Sequence, residues 1–495
     1  MGAAEKVTLC RIRLSMNSPY TKTWAHQRLS ERSSRIWVTP LVGGHCGYYQ
    51  ISAEDPLVRI SFKEVYDQSH RVASFLSQRG YAHEDVCCQV LPNCFHYAVF
   101  YLGALLAGGV MSGASALSTE YELKRQFLDS CCKVVITNYA NVNKVLLAVK
   151  ECPKVERKKN VIFYPDDTAL LPYSSGTTGM QKGVMLSHKN FSTMLDIFNK
   201  HCEDHVLWKL GESGWDYHKE NLLLMLPFYH IYGFGMMNHV LCNGSTGIVL
   251  SKFDPVVFLE AIQTYKPKMI MVVPPILLFL TKHPMTAKYD LSSVHFVFSG
   301  AAPLGKDLCD EFLRKYKHVR YLAQGYGMTE CSMASHLPPL DSRMNFNNIG
   351  MLASTYEQKI VSKTGEALPI GEPGELCIRG PTIMKGYLGS PEETAQAVDN
   401  EGWLHTGDFG FMDDKGQMHI LDRVKELIKV KGLQDKYESV VLFKIRHCVL
   451  GKVSPHKFLT GGVVFISEIP KSPSGKIIRR ILRDQGAKDM SSKPQ

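Results

Sequence analysis

The chain contains few cysteines for its length, and their spacing along the sequence predicts neither a zinc site nor a disulfide framework. Only 14 of the 495 residues are cysteine, and none form a C-x-x-C pair or a Cys/His cluster at zinc spacing. The adjacent pairs Cys87-Cys88 and Cys131-Cys132 suit neither metal ligation nor ordinary disulfides. The pattern indicates reduced, mostly buried thiols in an intracellular protein.

The chain also lacks an uninterrupted apolar run of membrane-spanning character. Residues 96–117, HYAVFYLGALLAGGVMSGASAL, are long enough to cross a bilayer but contain four glycines and two serines. They predict a buried helix followed by a strand. The C-terminus is not Ser-Lys-Leu and the basic N-terminal segment only mildly resembles a transit peptide, so the cytoplasm, the peroxisome and the mitochondrion stay open as compartments.

No low-complexity block occurs, which excludes a collagen-like, mucin-like or linker protein, and the absence of a fixed-period repeat argues against a solenoid. The net charge of +10 is unevenly distributed, because residues 1–422 hold 41 basic and 41 acidic residues whereas residues 423–495 hold 16 and 6. A basic tail beside a neutral body suggests a lid over a polyanion. Nucleic-acid binding is a second option and a solvated basic face is a third.

Apolar runs alternate with helical patterns from about residue 58, which is typical of parallel sheets covered by helices. Residues 61–79 predict a helix, and the predicted strands are residues 85–91, 134–137, 268–273 and 294–299. From residue 372, short segments between Gly and Asp turns predict a smaller β-rich unit. We therefore expect an α/β fold, with a large N-terminal domain of parallel sheets layered with helices and a β-barrel-like part.

A loop rich in glycine and hydroxyl groups is the strongest local signal. Residues 173–183, YSSGTTGMQKG, follow a strand-like segment at residues 168–171. Glycines let backbone amides approach an anion, and Lys182 adds a positive charge. No glycine precedes Lys182 and no serine or threonine follows it, so this is not a Walker A loop. The loop is predicted to bind phosphate, with hydrogen bonds donated by Ser174, Ser175, Thr177 and Thr178.

Two further motifs accompany this loop: QGYGMTE at residues 324–330 and HTGD at residues 405–408. Together the three motifs resemble the AMP-forming acyl-CoA synthetase family, which includes plant coumarate-CoA ligases and firefly luciferases. Members of that family make an acyl-adenylate from a carboxylic acid and ATP, release pyrophosphate, and pass the acyl group to the thiol of coenzyme A. The resemblance therefore implies an acid-thiol ligase that uses ATP, Mg²⁺ and coenzyme A, acts on a small aromatic or fatty acid, and binds no nucleic acid.

The resemblance also implies roles around the nucleotide. Tyr326 is expected to flank adenine, Thr329 to touch the α-phosphate, and Glu330 to hold Mg²⁺ together with Thr178. Asp408 is expected to accept hydrogen bonds from both ribose hydroxyls. The whole expected set of ATP or AMP contacts is Ser174, Ser175, Gly176, Thr177, Thr178, Gly179, Lys182, Gln324, Gly325, Tyr326, Thr329, Asp408, Arg423, Lys429, Gln434 and Lys476.

A second set of residues is implied for the acyl group and for coenzyme A. The segment PFYHIYGF at residues 227–234 resembles the one that lines the acyl site, and the expected pocket consists of His230, Tyr232, Met236 and Ala301. His230 is expected near the carboxylate. Coenzyme A is expected to contact Lys252, Lys431 and Gly432.

The basic C-terminal part resembles the lid of the family. Lys476, at the end of the loop PKSPSGK, is expected to stabilise the charge that develops at the α-phosphate. The expected catalytic set is Lys476, His230, Thr329 and Glu330. The lid is expected to rotate about a hinge at Asp422, which lies beside Arg423.

The last part of the chain departs from the family pattern. After residue 434 several dozen expected residues are absent, and Gln181 replaces the usual proline of the phosphate loop. We expect a poorly matched segment at residues 1–50, an adenylation domain at residues 51–422, and a small, truncated α+β lid domain at residues 423–495. A catalytically weakened nucleotide- or acyl-binding protein stays open as an alternative, and luciferase-type oxidation is a further one.

Overall fold

The computed structural model describes residues 8–9, 48–150, 152, 164–174, 181–207, 216, 219–338, 344–345, 348–423, 427–430 and 433–436. The strands are β1 (Thr8–Leu9), β2 (Tyr48–Ser52), β3 (Arg59–Ser61), β4 (Val86–Val90), β5 (Val110–Ala114), β6 (Cys132–Thr137), β7 (Thr168–Leu170), β8 (Tyr173–Ser174), β9 (Lys182–Ser187), β10 (Asn221–Leu224), β11 (Thr246–Val249), β12 (Met269–Val272), β13 (Phe296–Ser299), β14 (Tyr321–Gln324), β15 (His336–Leu337), β16 (Met344–Asn345), β17 (Met351–Leu352), β18 (Glu357–Val361), β19 (Gly374–Arg379), β20 (Gly386–Tyr387), β21 (Leu404–Met412), β22 (Met418–Arg423), β23 (Leu427–Val430) and β24 (Leu433–Lys436).

Helices connect most of these strands. They are α1 (Phe62–Gln78), α2 (His96–Leu106), α3 (Glu120–Asp129), α4 (Val142–Val149), α5 (His188–His201), α6 (Ile231–Asn243), α7 (Pro255–Tyr265), α8 (Pro274–Lys282), α9 (Lys306–Lys315) and α10 (Pro391–Ala397). Shorter turns are 3-10 at Tyr139–Asn141, Pro284–Lys288 and Thr329–Cys331, and π at Cys202–Leu207.

The largest sheet has eight strands, in the order β1-β6-β4-β5-β7-β9-β20 with β8 paired to β9. The strands from β1 to β7 in this order run parallel, and β9 is antiparallel to β7, β8 and β20. Because β20 comes about 200 residues after β9 in the chain, this edge joins the phosphate-loop region to a distant segment.

Helices α1 and α2 show how the sequence selects these elements. Ser61 caps the N-terminus of helix α1: its hydroxyl accepts the backbone N–H of Glu64 while the Glu64 carboxylate accepts the N–H of Ser61. Helix α2 is apolar on all sides and buried, which explains why its run is so hydrophobic. The two helices approach closely at Gly103, where a Cβ would lie 2.4 Å from Cγ1 of Val72. The predicted buried helix followed by a strand is confirmed as α2 and β5.

Two further sheets form the second half of the body. One has the order β10-β11-β2-β3, and the other, β12-β13-β14-β16, is parallel throughout. Helices α7, α8 and α9 pack here around a second apolar core that includes Phe258, Leu277 and Phe312. The predicted strands at residues 268–273 and 294–299 are confirmed as β12 and β13.

The antiparallel sheet β18-β19-β21-β22 corresponds to the predicted β-rich part. The sequence pattern predicts that this part starts at residue 372, whereas the sheet begins earlier, at Glu357. Its inner face joins the largest core through Leu376, Ile378 and Leu404. Strands β15 and β17 form a small antiparallel pair, as do β23 and β24.

The described elements confirm the expected α/β fold class with a parallel-sheet core. The expected domain boundary between residues 50 and 51 falls within β2, and the one between residues 422 and 423 falls within β22. Among the described residues, no helix combines the length and the apolar character needed to span a bilayer.

Candidate active site

The parallel strands β12, β13 and β14 end at one edge of their sheet. Val272 lies beside Ser299, which lies beside Gln324, and the chain leaves the sheet after each of them. Carboxyl ends of parallel strands are where ligand sites form in open α/β sheets. The side chain of Gln324 holds this edge together, because its Oε1 accepts from the N–H of Leu304 at 3.1 Å and its Nε2 donates to the carbonyl of Asn348 at 2.9 Å.

The loop after β14 folds back tightly on the segment that follows it. Tyr326 and His336 exchange backbone hydrogen bonds of 3.0 and 3.1 Å. A Cβ on Gly327 would lie 1.9 Å from the carbonyl oxygen of Met333, so only glycine fits there. The fold-back places Thr329 and Glu330 in a buried 3-10 turn.

The carboxylate of Glu330 is the centre of a polar cluster and is only 5% exposed. Its Oε1 accepts hydrogen bonds from the hydroxyls of Ser174 and Tyr387, both at 3.0 Å. Within the described part of the chain, its Oε2 has no hydrogen-bond partner. Burial and the neighbouring Glu330 charge raise the pKa of Tyr387, so this hydroxyl remains a donor at neutral pH.

Lys182 completes this cluster from the start of β9. Its Nζ lies 2.9 Å from Oε1 of Glu393 and 4.8 Å from the centre of the Tyr387 ring. Ser174 and Lys182 are direct partners across β8 and β9, so the two ends of the predicted phosphate loop lie side by side. A cation (Lys182), two hydroxyls (Ser174 and Tyr387) and a buried carboxylate (Glu330) thus lie close to the two ends of the predicted phosphate loop.

Asp408 forms a second buried carboxylate, 6% exposed, on β21. Its Oδ2 accepts the hydroxyl proton of Tyr326, and its backbone N–H donates to Oγ1 of Thr406 at 3.1 Å. Burial, together with the Asp408 charge, holds the pKa of Tyr326 well above its ordinary value. The motifs QGYGMTE and HTGD, predicted to share one nucleotide, are therefore in direct contact.

Three of the four predicted acyl residues, His230, Tyr232 and Met236, lie at the N-cap or within α6. His230 caps this helix, with its Nδ1 accepting the N–H of Tyr232 at 3.3 Å. The Tyr232 ring reaches the turn after β13, since a Cβ on Gly300 would lie 3.0 Å from it. This brings Tyr232 close to the turn that contains Ala301, whereas Met236 is buried within the main core. In the described structure, the Tyr232 hydroxyl is buried without a hydrogen-bond partner.

The remaining predicted residues fall into two groups. Asp422 and Arg423 end β22, where Arg423 is the direct partner of Asp408, and Lys429 is the partner of Gln434 across β23 and β24. Lys252 is exposed in the segment between β11 and α7. Outside the described residues lie Ser175, Gly176, Thr177, Thr178, Gly179, Lys431, Gly432 and Lys476.

Sequence reasoning missed Tyr387 and Glu393. Neither belongs to a recognisable motif, and both lie about 200 residues after the phosphate loop. They reach it because β20 pairs with β9, placing Tyr387 opposite Val184 and Gly386 opposite Met185. No local pattern encodes that pairing, so the sequence offered no signal for either side chain.

A comparison with protein-family models matches residues 45–388 to the family described as AMP-binding enzyme. The chain is 35% identical to 4-coumarate--CoA ligase 2 of Nicotiana tabacum, with 88% of this chain and 92% of that protein covered. It is 33% identical to 4-coumarate--CoA ligase of Pinus taeda, with coverage of 86% and 89%.

Solved structures share the fold. ATP-bound MatB from Rhodopseudomonas palustris superposes with a TM-score of 0.77 at 24% identity, over 90% of this chain and 98% of that one. The anthranilate CoA ligase AuaEII in complex with anthranoyl-AMP also gives a TM-score of 0.77, at 18% identity, over 92% and 98%. The resemblance predicted from the motifs is confirmed by the family match and by the sequence relatives, and the chain belongs to the AMP-binding enzyme family.

Proposed function

We propose that this protein is an AMP-forming acid-thiol ligase whose substrate is an aromatic acid of the coumarate type, with a fatty acid as the second choice. ATP and the acid form an acyl-adenylate and pyrophosphate, and the acyl group then passes to coenzyme A with release of AMP. The observation that carries the proposal is the convergence of Lys182, Ser174 and Glu330 beside the contact between Tyr326 and Asp408. The names of the sequence relatives support the choice of acid.

The residues around Glu330 fit a magnesium ion. Mg²⁺ prefers carboxylate oxygens, usually one or two, together with water and substrate phosphates. Glu330 is buried and oriented by two neutral hydroxyl donors, while its Oε2 has no partner among the described residues. We assign Glu330 and Thr178 as the residues that would hold Mg²⁺, which would supply positive charge to the phosphates.

The chain's own groups then divide the work of the first step. Lys182 exchanges its contact with Glu393 for the phosphates, and Asp408 binds the ribose with Tyr326 holding the carboxylate in place. A carboxylate oxygen of the acid attacks the α-phosphorus, and pyrophosphate leaves with the bonding electron pair. Lys476 and Thr329 stabilise the negative charge that develops on the α-phosphate oxygens. His230 lies at the acid end and orients its carboxylate.

The second step requires the lid. We propose that residues 423–495 rotate relative to residues 51–422 about Asp422 and bring Lys431 and Gly432 to the pantetheine thiol, with Lys252 on the opposite wall. The thiol gives its proton to solvent, its sulfur attacks the acyl carbonyl, and AMP leaves with the electron pair of the broken bond. The alternative of a weakened nucleotide-binding protein is not favoured, because the relatives that carry ligase names match nearly the whole chain.

Carboxylate-dependent exchange between ATP and labelled pyrophosphate tests the first step. We expect exchange with hydroxycinnamic acids, weaker exchange with fatty acids, and none without an acid. Lys476→Ala should lower this rate about 100-fold or more while ATP affinity changes little, because a transition-state contact is removed. Absence of exchange with every acid, despite ATP binding, would sink the ligase proposal and support the binding-protein alternative.

A further inference from the structure

A cluster of potential metal ligands lies on the antiparallel sheet, away from the nucleotide residues. It consists of Glu375 and Cys377 on β19 and His405 on β21, and one ligand atom from each lies within 4.8 Å of the others. Cys377 and His405 are direct partners across the two strands. Burial alternates over residues 404–411 of β21, so His405 and Asp408 lie on opposite faces of the sheet.

Two of the three ligand separations in the cluster are close to those of a tetrahedral metal site, and all three lie within 4.8 Å. Sγ of Cys377 lies 3.4 Å from Nδ1 of His405, and that nitrogen lies 3.1 Å from Oε2 of Glu375. Zinc bonds of about 2.3 Å to sulfur and about 2.0–2.1 Å to nitrogen and oxygen place such ligands roughly 3.3–3.6 Å apart in a tetrahedron. A single ring nitrogen facing two ligand atoms is satisfied better by a cation between them than by one hydrogen bond.

Glu375 and His405 each have a second polar atom, and a neighbouring group contacts that atom and orients the side chain. The backbone N–H of Gly407 donates to Oε1 of Glu375 at 3.0 Å, which directs Oε2 towards His405. Nε2 of His405 lies 3.6 Å from the carboxylate of Asp399. A carboxylate behind a ligating histidine is the usual outer support of a protein-bound metal.

The charges nearby also suit a divalent cation. A Cys377 thiolate with the carboxylates of Glu375 and Asp399 carries three negative charges. Lys359 is the cation near the thiol, and its Nζ lies over the Trp403 ring and 3.9 Å from Glu401. Because Lys359 also pairs with Glu401, it does not neutralise the three charges, and a divalent ion would offset two of them.

We propose that Cys377, His405 and Glu375 form a binding site for Zn²⁺ or a similar thiophilic divalent ion, with water as the fourth ligand. Cysteine and histidine ligands select such ions, whereas Mg²⁺ and Ca²⁺ prefer sets of oxygen atoms. The site is therefore distinct in chemistry from the one assigned to Glu330. On binding, the ion takes the place of the thiol proton, which is released to solvent.

Cobalt titration of the full-length, chelator-treated protein tests this site, because thiolate-bound Co²⁺ has a charge-transfer absorption in the near ultraviolet. We expect the band to saturate at one equivalent, to disappear on addition of Zn²⁺, and to persist in excess Mg²⁺. Cys377→Ser should abolish the band. Cys309→Ser is the matched control, since Cys309 is also fully buried but lies on α9 outside the cluster.

A second variant tests the same site if Cys377→Ser fails to fold. Asp399 is partly exposed, and its Oδ1 accepts the backbone N–H groups of Glu401 and Trp403 while its Oδ2 faces His405. The amide oxygen of asparagine can keep both backbone bonds, so Asp399→Asn should fold, keep the band and lower Co²⁺ affinity about 10- to 100-fold. Absence of the band in the wild type, or an unchanged band in a folded Cys377→Ser protein, would overturn the proposal. Unchanged affinity in Asp399→Asn would also contradict it. Each result is independent of ligase activity, so failure here leaves the proposed function untouched.

Discussion

The two buried carboxylates of the candidate active site are alike in exposure but differ in their surroundings. Glu330 follows a parallel strand and accepts hydrogen bonds from Ser174 and Tyr387 through one oxygen. Asp408 lies within an antiparallel strand and is bonded by Tyr326. One carboxylate stands beside Lys182 and the phosphate loop, and the other stands beside the loop assigned to adenine. The difference suggests that the two acids bind opposite ends of one nucleotide.

The largest expected effect is a loss of folding stability at acidic pH. His336, which packs against the Tyr326 that bonds Asp408, should contribute to it. Burial lowers the pKa of His336, which packs against Tyr326, from 6.5 to about 4, and the pKa values of His188, His201 and His239 are likewise lowered to about 4 by burial. Below about pH 6.5 the unfolded chain binds protons at these histidines that the folded chain does not bind until about pH 4. The free energy of unfolding should therefore fall as pH decreases through this window.

Denaturant unfolding at pH 7, 6, 5 and 4.5 measures that loss. A fully buried histidine contributes about 3 kcal/mol at most. His336→Gln keeps an amide in place of the ring and should flatten the pH dependence. If the free energy of unfolding of the folded variant depended on pH as steeply as that of the wild type, His336 would not contribute to the loss of stability in acid.

Replacing Glu330 should have the next largest effect, and on the rate rather than on nucleotide affinity. Glu330→Gln keeps the shape but removes the charge assigned to Mg²⁺, so adenylate formation should fall about 100-fold or more. The dependence of exchange on Mg²⁺ concentration should shift to higher values. Glu54→Gln is a suitable control, because Glu54 also accepts a serine hydroxyl but lies in the exposed bend after β2, outside the polar cluster. A full rate with normal Mg²⁺ dependence in Glu330→Gln would remove Glu330 from the metal site.

Asp408→Asn should mainly weaken nucleotide binding. Hydrogen bonds to a charged acceptor are worth about 1.5–3 kcal/mol, which corresponds to roughly 10- to 150-fold in affinity. The test compares binding of ATP with that of 2′-deoxy- and 3′-deoxy-ATP. The wild type should prefer ATP, and the variant should lose most of this preference. An equal preference in both proteins would show that Asp408 does not contact the ribose.

The smallest expected effects come from Tyr387 and Tyr326, the tyrosines that bond the two carboxylates. Tyr387→Phe and Tyr326→Phe each remove one hydroxyl donor from a buried carboxylate, with an expected effect of about 3- to 10-fold. Tyr387→Phe should lower the exchange rate, whereas Tyr326→Phe should raise the dissociation constant of ATP. If both variants changed the same parameter to the same degree, the division between the two carboxylates would be wrong.

Much of this molecule follows from local sequence. Alternating apolar runs and helical patterns predicted the α/β fold, the capping residues fix the start of α1, and the glycine-rich and acidic motifs predicted the family. These features depend on neighbours along the chain, since periodicity, capping and loop chemistry act over a few residues.

Contacts between distant strands depended on the tertiary structure. The sequence placed Ser174, Lys182, Glu330 and Asp408 in motifs, but the pairing of β20 with β9 brought Tyr387 and Glu393 to them. The absence of zinc-like spacing hid the cluster of Cys377, His405 and Glu375, because their proximity is set by the register of β19 against β21. Strand register is determined by which faces are buried across the whole sheet, so no short stretch of sequence specifies it.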